Sequence, residues 1–64
     1  MINYSPFYMT LIKKKMSQYK LINKYLISSS TLNRIKNNEP VSLSTIDELC
    51  KILKCDIKDI VKIV

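Results

Sequence analysis

Apolar residues recur at helical spacing in five short segments of the chain. The first segment follows Ser5-Pro6, where a serine can cap a helix and a proline suits its first turn. We predict a first helix from about Pro6 to Lys15, with its core-facing residues spaced by four and one. Those residues are Phe7, Leu11 and Ile12.

A second helix is predicted from about Gln18 to Tyr25, with Ser17 as its N-cap. On a helical wheel its apolar residues fall on one side and its lysines opposite. The apolar side consists of Leu21, Ile22, Tyr25 and Leu26, and Tyr25 is expected in the core. A break of about three residues follows.

The stretch "ISSSTLNRIKNN" predicts a third helix with two contrasting sides. Ser28 is the expected N-cap, and the helix runs from about Ser29 to Asn37. Leu32 and Ile35 fall on the inner side, whereas Ser29, Ser30, Asn33 and Arg34 fall on the outer side. Asn38 tolerates a left-handed backbone and can end the helix, because Pro40 forbids continuation.

Two further helices are predicted in the last third of the chain. Ser42 or Ser44 caps the fourth, which extends to about Leu53, and Asp56 caps the fifth. The inner stripe of the fourth helix is Leu43, Ile46, Leu49, Cys50 and Leu53, and that of the fifth is Ile57, Ile60, Val61 and Val64. The fold class is therefore all-α, five short helices around one core. The β-prone ends "MINY" and "KIV" leave room for a small two-stranded edge.

Length and composition predict one folded domain over residues 1–64. A chain this short buries about 60% of its unfolded surface, which leaves no room for a core and a large cavity together. No apolar run approaches the roughly 20 residues of a membrane span. The lysines near the N-terminus follow the apolar stretch, unlike those of a signal peptide. We expect a cytoplasmic protein.

The net charge of +6 favours an anionic partner, nucleic acid first and an acidic membrane surface second. Part of the lysine excess could reflect an AT-rich genome. Codon bias does not explain the distribution, because all five acids lie from Glu39 onward and most basic residues lie before it. The lysines are spread over several short helices, not along one amphipathic helix, which argues against a membrane surface.

Catalytic and metal-binding signals are weak. The chain has no histidine, and its acids fall at predicted caps, on solvent faces or in a loop, so no nucleophile–base pair is recognisable and an enzyme is not expected. Cys50 and Cys55 lack the spacing and the partners of a zinc site. We expect Cys50 to be a buried reduced thiol, a disulfide to be absent, and neither metal, cofactor nor small-molecule ligand to bind.

Two helices joined by a short turn, the second basic and polar, describe a helix-turn-helix. Arginine and asparagine can pair bidentately with guanine and adenine edges, and short serines allow close approach. The predicted base contacts are Ser29, Ser30, Asn33 and Arg34, and the predicted phosphate contacts are Ser17, Gln18, Tyr19, Thr31, Lys36 and Asn37. Lys13, Lys14 and Lys15 fit a helix C-terminus and a DNA contact equally well.

Residues 16–60, "MSQYKLINKYLISSSTLNRIKNNEPVSLSTIDELCKILKCDIKDI", resemble the Cro/C1-type (XRE family) helix-turn-helix domains of phage repressors and small bacterial regulators. The resemblance rests on Ser-Gln opening helix two, Ile-Ser before helix three, Ser-Thr-Leu within it, and the later Pro-Val-Ser-Leu and Leu-Cys-x-x-Leu. It implies a lambda-repressor-like fold of five helices, with the third in the DNA major groove. It also implies that Ser29, Ser30, Asn33 and Arg34 stand where the family contacts bases. Gln18, Lys36 and Asn37 stand where it contacts the backbone.

The chain departs from the family pattern at three places. Leu26 stands where the turn commonly has glycine, Ile22 where helix two commonly has alanine, and Lys36 and Asn38 where helix three commonly ends in glutamate and glycine. A left-handed backbone at Leu26 costs a residue other than glycine roughly 1–2 kcal/mol. These departures affect the expected pose of the third helix.

The function predicted from the sequence is sequence-specific binding of double-stranded DNA by a transcriptional regulator. Repression is its expected effect. A homodimer on a palindromic operator is expected, with its interface in the last helix and tail. The alternative is a protein-interaction module, an antitoxin or adaptor, that uses the acidic C-terminal half.

Overall fold

The computed structural model describes all 64 residues. Four α-helices and one turn of 3-10 helix lie between two short strands. In chain order these are β1 (Ile2–Asn3), α1 (Ser5–Lys13), α2 (Gln18–Asn23), α3 (Ser29–Lys36), α4 (Leu43–Leu53), the 3-10 turn (Ile57–Asp59) and β2 (Lys62–Ile63). The predicted helix starts agree with the structure better than the predicted helix ends. Helix α2, for example, begins at Gln18 as predicted but ends at Asn23, before Tyr25.

Serine side chains begin three of the four helices. The Oγ atom of Ser17 accepts a hydrogen bond from the backbone N–H of Lys20 at 3.0 Å. Ser28 and Ser42 do the same for the N–H groups three residues onward, each at 3.2 Å. These bonds satisfy N–H groups that the helix itself leaves free. The predicted Ser5 cap is wrong, because Ser5 is already helical and Tyr4 precedes it.

The core receives a fully buried side chain from each of the four α-helices and from the segment after the 3-10 turn. Phe7, Leu21, Ile35, Leu49 and Ile60 all have 0% exposure. They belong to one cluster of 11 buried hydrophobic residues. Complete burial of such side chains contributes about 1.5–3 kcal/mol each, so this cluster is the main source of stability.

The predicted fifth helix is replaced by the 3-10 turn and β2. After Ile60 the backbone extends, and β2 pairs antiparallel with β1 in the register Ile2 with Ile63 and Asn3 with Lys62. The branched residues of this segment suit an extended backbone, and pairing with β1 satisfies part of its backbone polar groups. The possible two-stranded edge is therefore present, and the helix expected to continue to Val64 is not.

Several residues assigned to inner stripes lie on the surface. Ile12 is 74% exposed, because buried Thr10 turns the inner side of α1 away from it. The hydroxyl of Thr10 donates to the backbone oxygen of Asp59 at 2.7 Å. Leu43 is 75% exposed because it lies at the edge of the stripe formed by Ile46, Leu49 and Leu53. Leu26, Ile57 and Val64 are also exposed, and Tyr25 and Cys50 are only half-buried.

Tyr4 connects the N-terminal segment to the end of α3. Its side chain is 1% exposed, and its hydroxyl donates to the backbone oxygen of Glu39 at 2.7 Å. Its backbone N–H donates to Oδ1 of Asn38 at 3.1 Å. Burial raises the pKa of Tyr4, so the hydroxyl remains a donor at neutral pH. The periodic pattern carries no signal for this contact, since both partners are distant in sequence.

Left-handed backbone occurs in the connection after each of the four helices, although the chain has no glycine. Lys15, Leu26, Asn38 and Lys54 have φ between 52° and 60°. The predicted left-handed residues Leu26 and Asn38 are confirmed. A left-handed backbone costs a residue other than glycine roughly 1–2 kcal/mol, whereas glycine adopts it freely.

We expect Lys15→Gly to stabilise the protein by about 0.5–1 kcal/mol, because relief at positive φ exceeds the added entropy of the unfolded chain. Lys13→Gly is the matched control, since it removes the same charge from a helical position with negative φ. It should destabilise by about 0.5–1 kcal/mol. Urea unfolding of both variants measures the change in the free energy of unfolding. Equal changes for the two variants would contradict backbone strain at Lys15.

We expect Tyr4→Phe to destabilise the protein by about 1 kcal/mol, because the backbone oxygen of Glu39 loses its buried donor. Tyr8→Phe is the control: Tyr8 is half-buried, and its edge-to-face contact with Phe7 does not need the hydroxyl. That variant should remain within about 0.5 kcal/mol of the parent. Thermal unfolding of the two variants gives the comparison. Equal stabilities would show that the Tyr4 hydroxyl does not stabilise the fold.

Candidate nucleic-acid interface

Helix α3 presents a polar side to solvent and an apolar side to the core. Leu32 is 5% exposed and Ile35 is 0% exposed, so the predicted inner side is confirmed. The four residues predicted to contact bases all lie exposed on the remaining surface; they are Ser29, Ser30, Asn33 and Arg34. No intramolecular salt bridge holds the guanidinium of Arg34. The outer side of α3 is thus free to meet a polar partner.

A hydroxyl network fixes the first turn of α3. The Oγ atom of Ser28 lies 2.8 Å from the hydroxyl of Thr31 and 3.2 Å from that of Ser30. Thr31 is half-buried, and it is the least accessible of the predicted contact residues. Because each hydroxyl both donates and accepts, the bonded serine and threonine retain capacity for an external partner. Ser29 takes no part in the network.

The start of α2 provides the second group of predicted contacts. Ser17, Gln18 and Tyr19 are all exposed, and Tyr19 is 76% exposed. The cap bond uses the Ser17 oxygen as an acceptor and leaves its O–H available as a donor. Hydroxyl and amide donors at this position suit phosphate oxygens.

The end of α3 holds the remaining predicted phosphate contacts. Lys36 and Asn37 are exposed. The Nδ2 group of Asn37 donates to the backbone oxygen of Asn33 at 3.0 Å, which leaves its second N–H free. Lys36 forms no salt bridge. Tyr4 supports the connection that follows through its bonds to Asn38 and Glu39, a contribution absent from the sequence pattern.

The connection between α2 and α3 sets the position of the exposed polar side. Leu26 is left-handed, with φ 60°, and its side chain is 84% exposed. The backbone N–H of Ile27 returns to the oxygen of Leu21 at 3.0 Å, and the Ile27 side chain is buried. Ile22, larger than the common alanine, is half-buried between solvent and core. The turn therefore keeps glycine's usual backbone conformation without glycine.

The electrostatic surface matches the division seen in the sequence. The single salt bridge joins Lys51 to Asp47 at 2.9 Å, both on α4. None of the basic residues before Glu39 is paired with a carboxylate. Lys24 lies over the ring of Tyr25, 5.6 Å from its centroid, which leaves its charge unneutralised. Helices α2 and α3 and the end of α1 therefore carry a net positive charge that a polyanion can neutralise.

The two cysteines lie on α4 and in the connection that follows it. Cys50 and Cys55 are half-buried and free, which corrects the expectation of full burial for Cys50. Burial raises the pKa of Cys50 and raises that of Cys55 to about 11, so both thiols are protonated at neutral pH. No group of three or more potential metal-ligating side chains is present. None of the helices combines the length and apolar character needed to cross a membrane.

Comparison with known proteins agrees with this geometry. Residues 9–64 match the sequence model of the Cro/C1-type HTH DNA-binding domain. The crystal structure of the transcriptional regulator VanUg (form II) superimposes with a TM-score of 0.86 at 31% sequence identity, over 95% of this chain and 81% of that one. No curated protein matches the chain. The chain is a member of the Cro/C1-type helix-turn-helix family of DNA-binding domains.

Proposed function

We propose that this protein is a sequence-specific transcriptional regulator, acting as a repressor in the cytoplasm, and that α3 enters the major groove of double-stranded DNA. The observation that carries the proposal is the two-sided α3: Leu32 and Ile35 fix it to the core, and its outer side is polar, unpaired and without acids. A helix of this width fits the major groove, where base edges are distinguishable. Family membership and the structural similarity to VanUg support DNA binding and regulation.

The predicted contacts divide by the chemistry of their side chains. Asn33 and Arg34 carry the groups that pair bidentately with adenine and guanine, and the small Ser29 and Ser30 permit close approach near the start of α3. Lys36 and Asn37 at the end of α3, and Ser17, Gln18 and Tyr19 at the start of α2, suit phosphate oxygens. In this arrangement the phosphate contacts set register, and the base contacts set sequence preference.

The operator is proposed to be palindromic and bound by two copies of the chain. A lone helix of eight residues spans few base pairs, which limits its specificity. Two copies related by a two-fold axis read two half-sites, with centres roughly 34–36 Å apart on one face of the duplex.

A protein-interaction function, as an antitoxin or adaptor, is the second candidate. Exposed apolar residues favour it, in particular Leu43, Ile57 and Ile63 beside the paired termini. The two functions differ in their response to salt, because phosphate contacts release counterions and apolar contacts do not.

Fluorescence anisotropy of a labelled random duplex, titrated at two salt concentrations, tests the DNA proposal. We expect binding that weakens steeply with salt. Selection from the same random pool then yields the preferred site. No binding at low salt would contradict DNA binding and would favour the second candidate.

We expect Arg34→Ala to cost roughly 1–3 kcal/mol on the selected site and to relax preference at one base pair, because a bidentate base contact is lost. Lys24→Ala is the control: it removes the same charge from an exposed residue outside the predicted contacts. Titrations on selected and random duplexes measure both variants. Equal losses on the two duplexes would show that Arg34 does not read a base.

We expect Lys36→Ala to weaken binding to every duplex and to lower the slope of log K against log salt by about one unit, because one phosphate contact is lost. Lys58→Ala removes an equal charge from the 3-10 turn in the acidic half and should leave the slope unchanged. Salt titrations of both variants decide the matter, and an unchanged slope for Lys36→Ala would exclude it from the phosphate contacts.

A further inference from the structure

Helix α4 ends in a backbone motif that brings two cysteines together. The N–H of Cys55 donates to the backbone oxygen of Cys50 at 3.0 Å, and Lys54 before it is left-handed, with φ 52°. A bond of this span around a left-handed residue is the Schellman ending of a helix, in which the first and last side chains commonly touch. Cys50 and Cys55 hold those two positions.

The same motif ends α1 and shows what its two positions do in this fold. The N–H of Met16 donates to the backbone oxygen of Leu11 at 2.9 Å, around the left-handed Lys15. Leu11 is buried, and Met16 packs against the core cluster to which Leu11 belongs. At the end of α1 the two positions therefore hold an apolar pair, whereas at the end of α4 both hold a thiol.

The backbone bond limits the distance between the two cysteines. The Cα atom of each lies one or two covalent bonds from the bonded nitrogen or oxygen, so the two Cα atoms are at most about 7 Å apart. Disulfides join cysteines whose Cα atoms are usually about 4.4–6.8 Å apart. Both thiols also line one cavity of about 510 Å³, and each is among the groups that shift the pKa of the other. The geometry therefore permits a bond between the two sulfur atoms.

The surroundings of the two thiols favour their reaction with each other over metal binding. A structural zinc site takes four ligands, and no third metal-ligating side chain joins the two sulfurs. Both thiols are free and half-buried, so a small reagent can reach them. Four lysines line the same cavity, and they attract an anionic reagent more than its three aspartates repel it.

We propose that Cys50 and Cys55 form a reversible oxidation site, which closes as an intramolecular disulfide when low-molecular-weight disulfides such as glutathione disulfide accumulate. The thiolate of one cysteine attacks a sulfur of glutathione disulfide, and one glutathione leaves. The thiolate of the other cysteine then attacks the protein sulfur of the mixed disulfide, and the second glutathione leaves. Two protein thiols are oxidised, and one glutathione disulfide is reduced to two thiols that take up the two cysteine protons. In a reducing compartment the pair remains as thiols.

The disulfide stabilises the segment that connects α4 to α1. It holds Cys55 against α4 directly before Asp56, whose backbone N–H donates to Oδ2 of Asp59 at 3.1 Å. The backbone oxygen of Asp59 in turn accepts the bond from Thr10 on α1. Because the folded chain already brings the two cysteines together, it favours the disulfide more than the unfolded chain does, and by linkage the disulfide favours folding. The inference does not depend on DNA binding.

Mass spectrometry of protein incubated with excess glutathione disulfide tests the bond. The buffer is at about pH 8.5, because burial raises the pKa of both thiols and only the thiolate attacks. We expect the parent to lose the mass of two hydrogen atoms and to keep no glutathione. Cys50→Ser and Cys55→Ser should each keep one glutathione.

The matched control is the double variant Leu43→Cys with Cys55→Ser. It has two thiols on α4, at residues 43 and 50, which the helix separates by about 10 Å. Leu43 is 75% exposed, so the substitution leaves the core intact. This variant should keep two glutathiones and form no internal disulfide.

Glutathione redox buffers test whether the folded structure favours the disulfide, and they need no variant. We expect the equilibrium constant for oxidation of the parent to be at least about tenfold larger in native buffer than in concentrated urea. The same factor, about 1.4 kcal/mol for tenfold, adds to the free energy of unfolding of the oxidised protein. Its Tm should therefore be at least about 5 °C higher than that of the reduced protein.

A parent protein that stays reduced, or that keeps two glutathiones as the control does, would overturn the proposal. Equal equilibrium constants in native buffer and in urea would overturn it as well, as would an oxidised protein whose Tm is no higher than that of the reduced one. A protein that closes the disulfide as expected and fails to bind DNA contradicts only the proposed function.

Discussion

No helix of this chain is long enough to be stable alone, so all of them depend on one shared core. Helix α2 has 6 residues, α3 has 8 and α4 has 11, whereas isolated helices below about 12–15 residues are marginal in water. The core joins Leu21 of α2, Ile35 of α3 and Leu49 of α4, each with 0% exposure. The orientation of α3 therefore depends on the whole core, and so does the direction in which its outer polar residues face.

The connections between the helices resolve a conflict between compactness and local strain. Short connections require left-handed residues, and a chain without glycine places leucine, lysine and asparagine there. Asn38 offsets part of its strain, because its Oδ1 accepts the buried N–H of Tyr4. Glycine could not supply that acceptor. The end of α3 thus gains a bond to the N-terminal segment at the residue where the family pattern commonly has glycine.

Local rules predicted the parts of the fold that local contacts determine. The Ser28 cap and the two sides of α3 follow from residues within one helix, and the structure has both. The apolar pattern places Ile12 in the core. In the structure Thr10, a polar residue, takes that place, because its hydroxyl bonds the backbone oxygen of Asp59, 49 residues away. The predicted fifth helix is also absent because of a contact distant in sequence, since the pairing of the two termini competes with it. The site follows this division: exposure of the polar side was predictable, and the support that Tyr4 gives to α3 was not.

Two surfaces with different physics share this small domain. The basic side around α2 and α3 carries unneutralised charge, and binding of a polyanion through it would weaken as salt rises. The surface around Ile63, beside the two strands, is mostly apolar, and apolar contacts respond little to salt. Under the proposed function, DNA binding and the association of two copies are linked equilibria, because a palindromic site favours the paired copies that bind both of its halves. Because they are linked, a substitution that separates the two copies also weakens binding to the whole palindromic site, so salt dependence and concentration dependence have to be measured on the same variant.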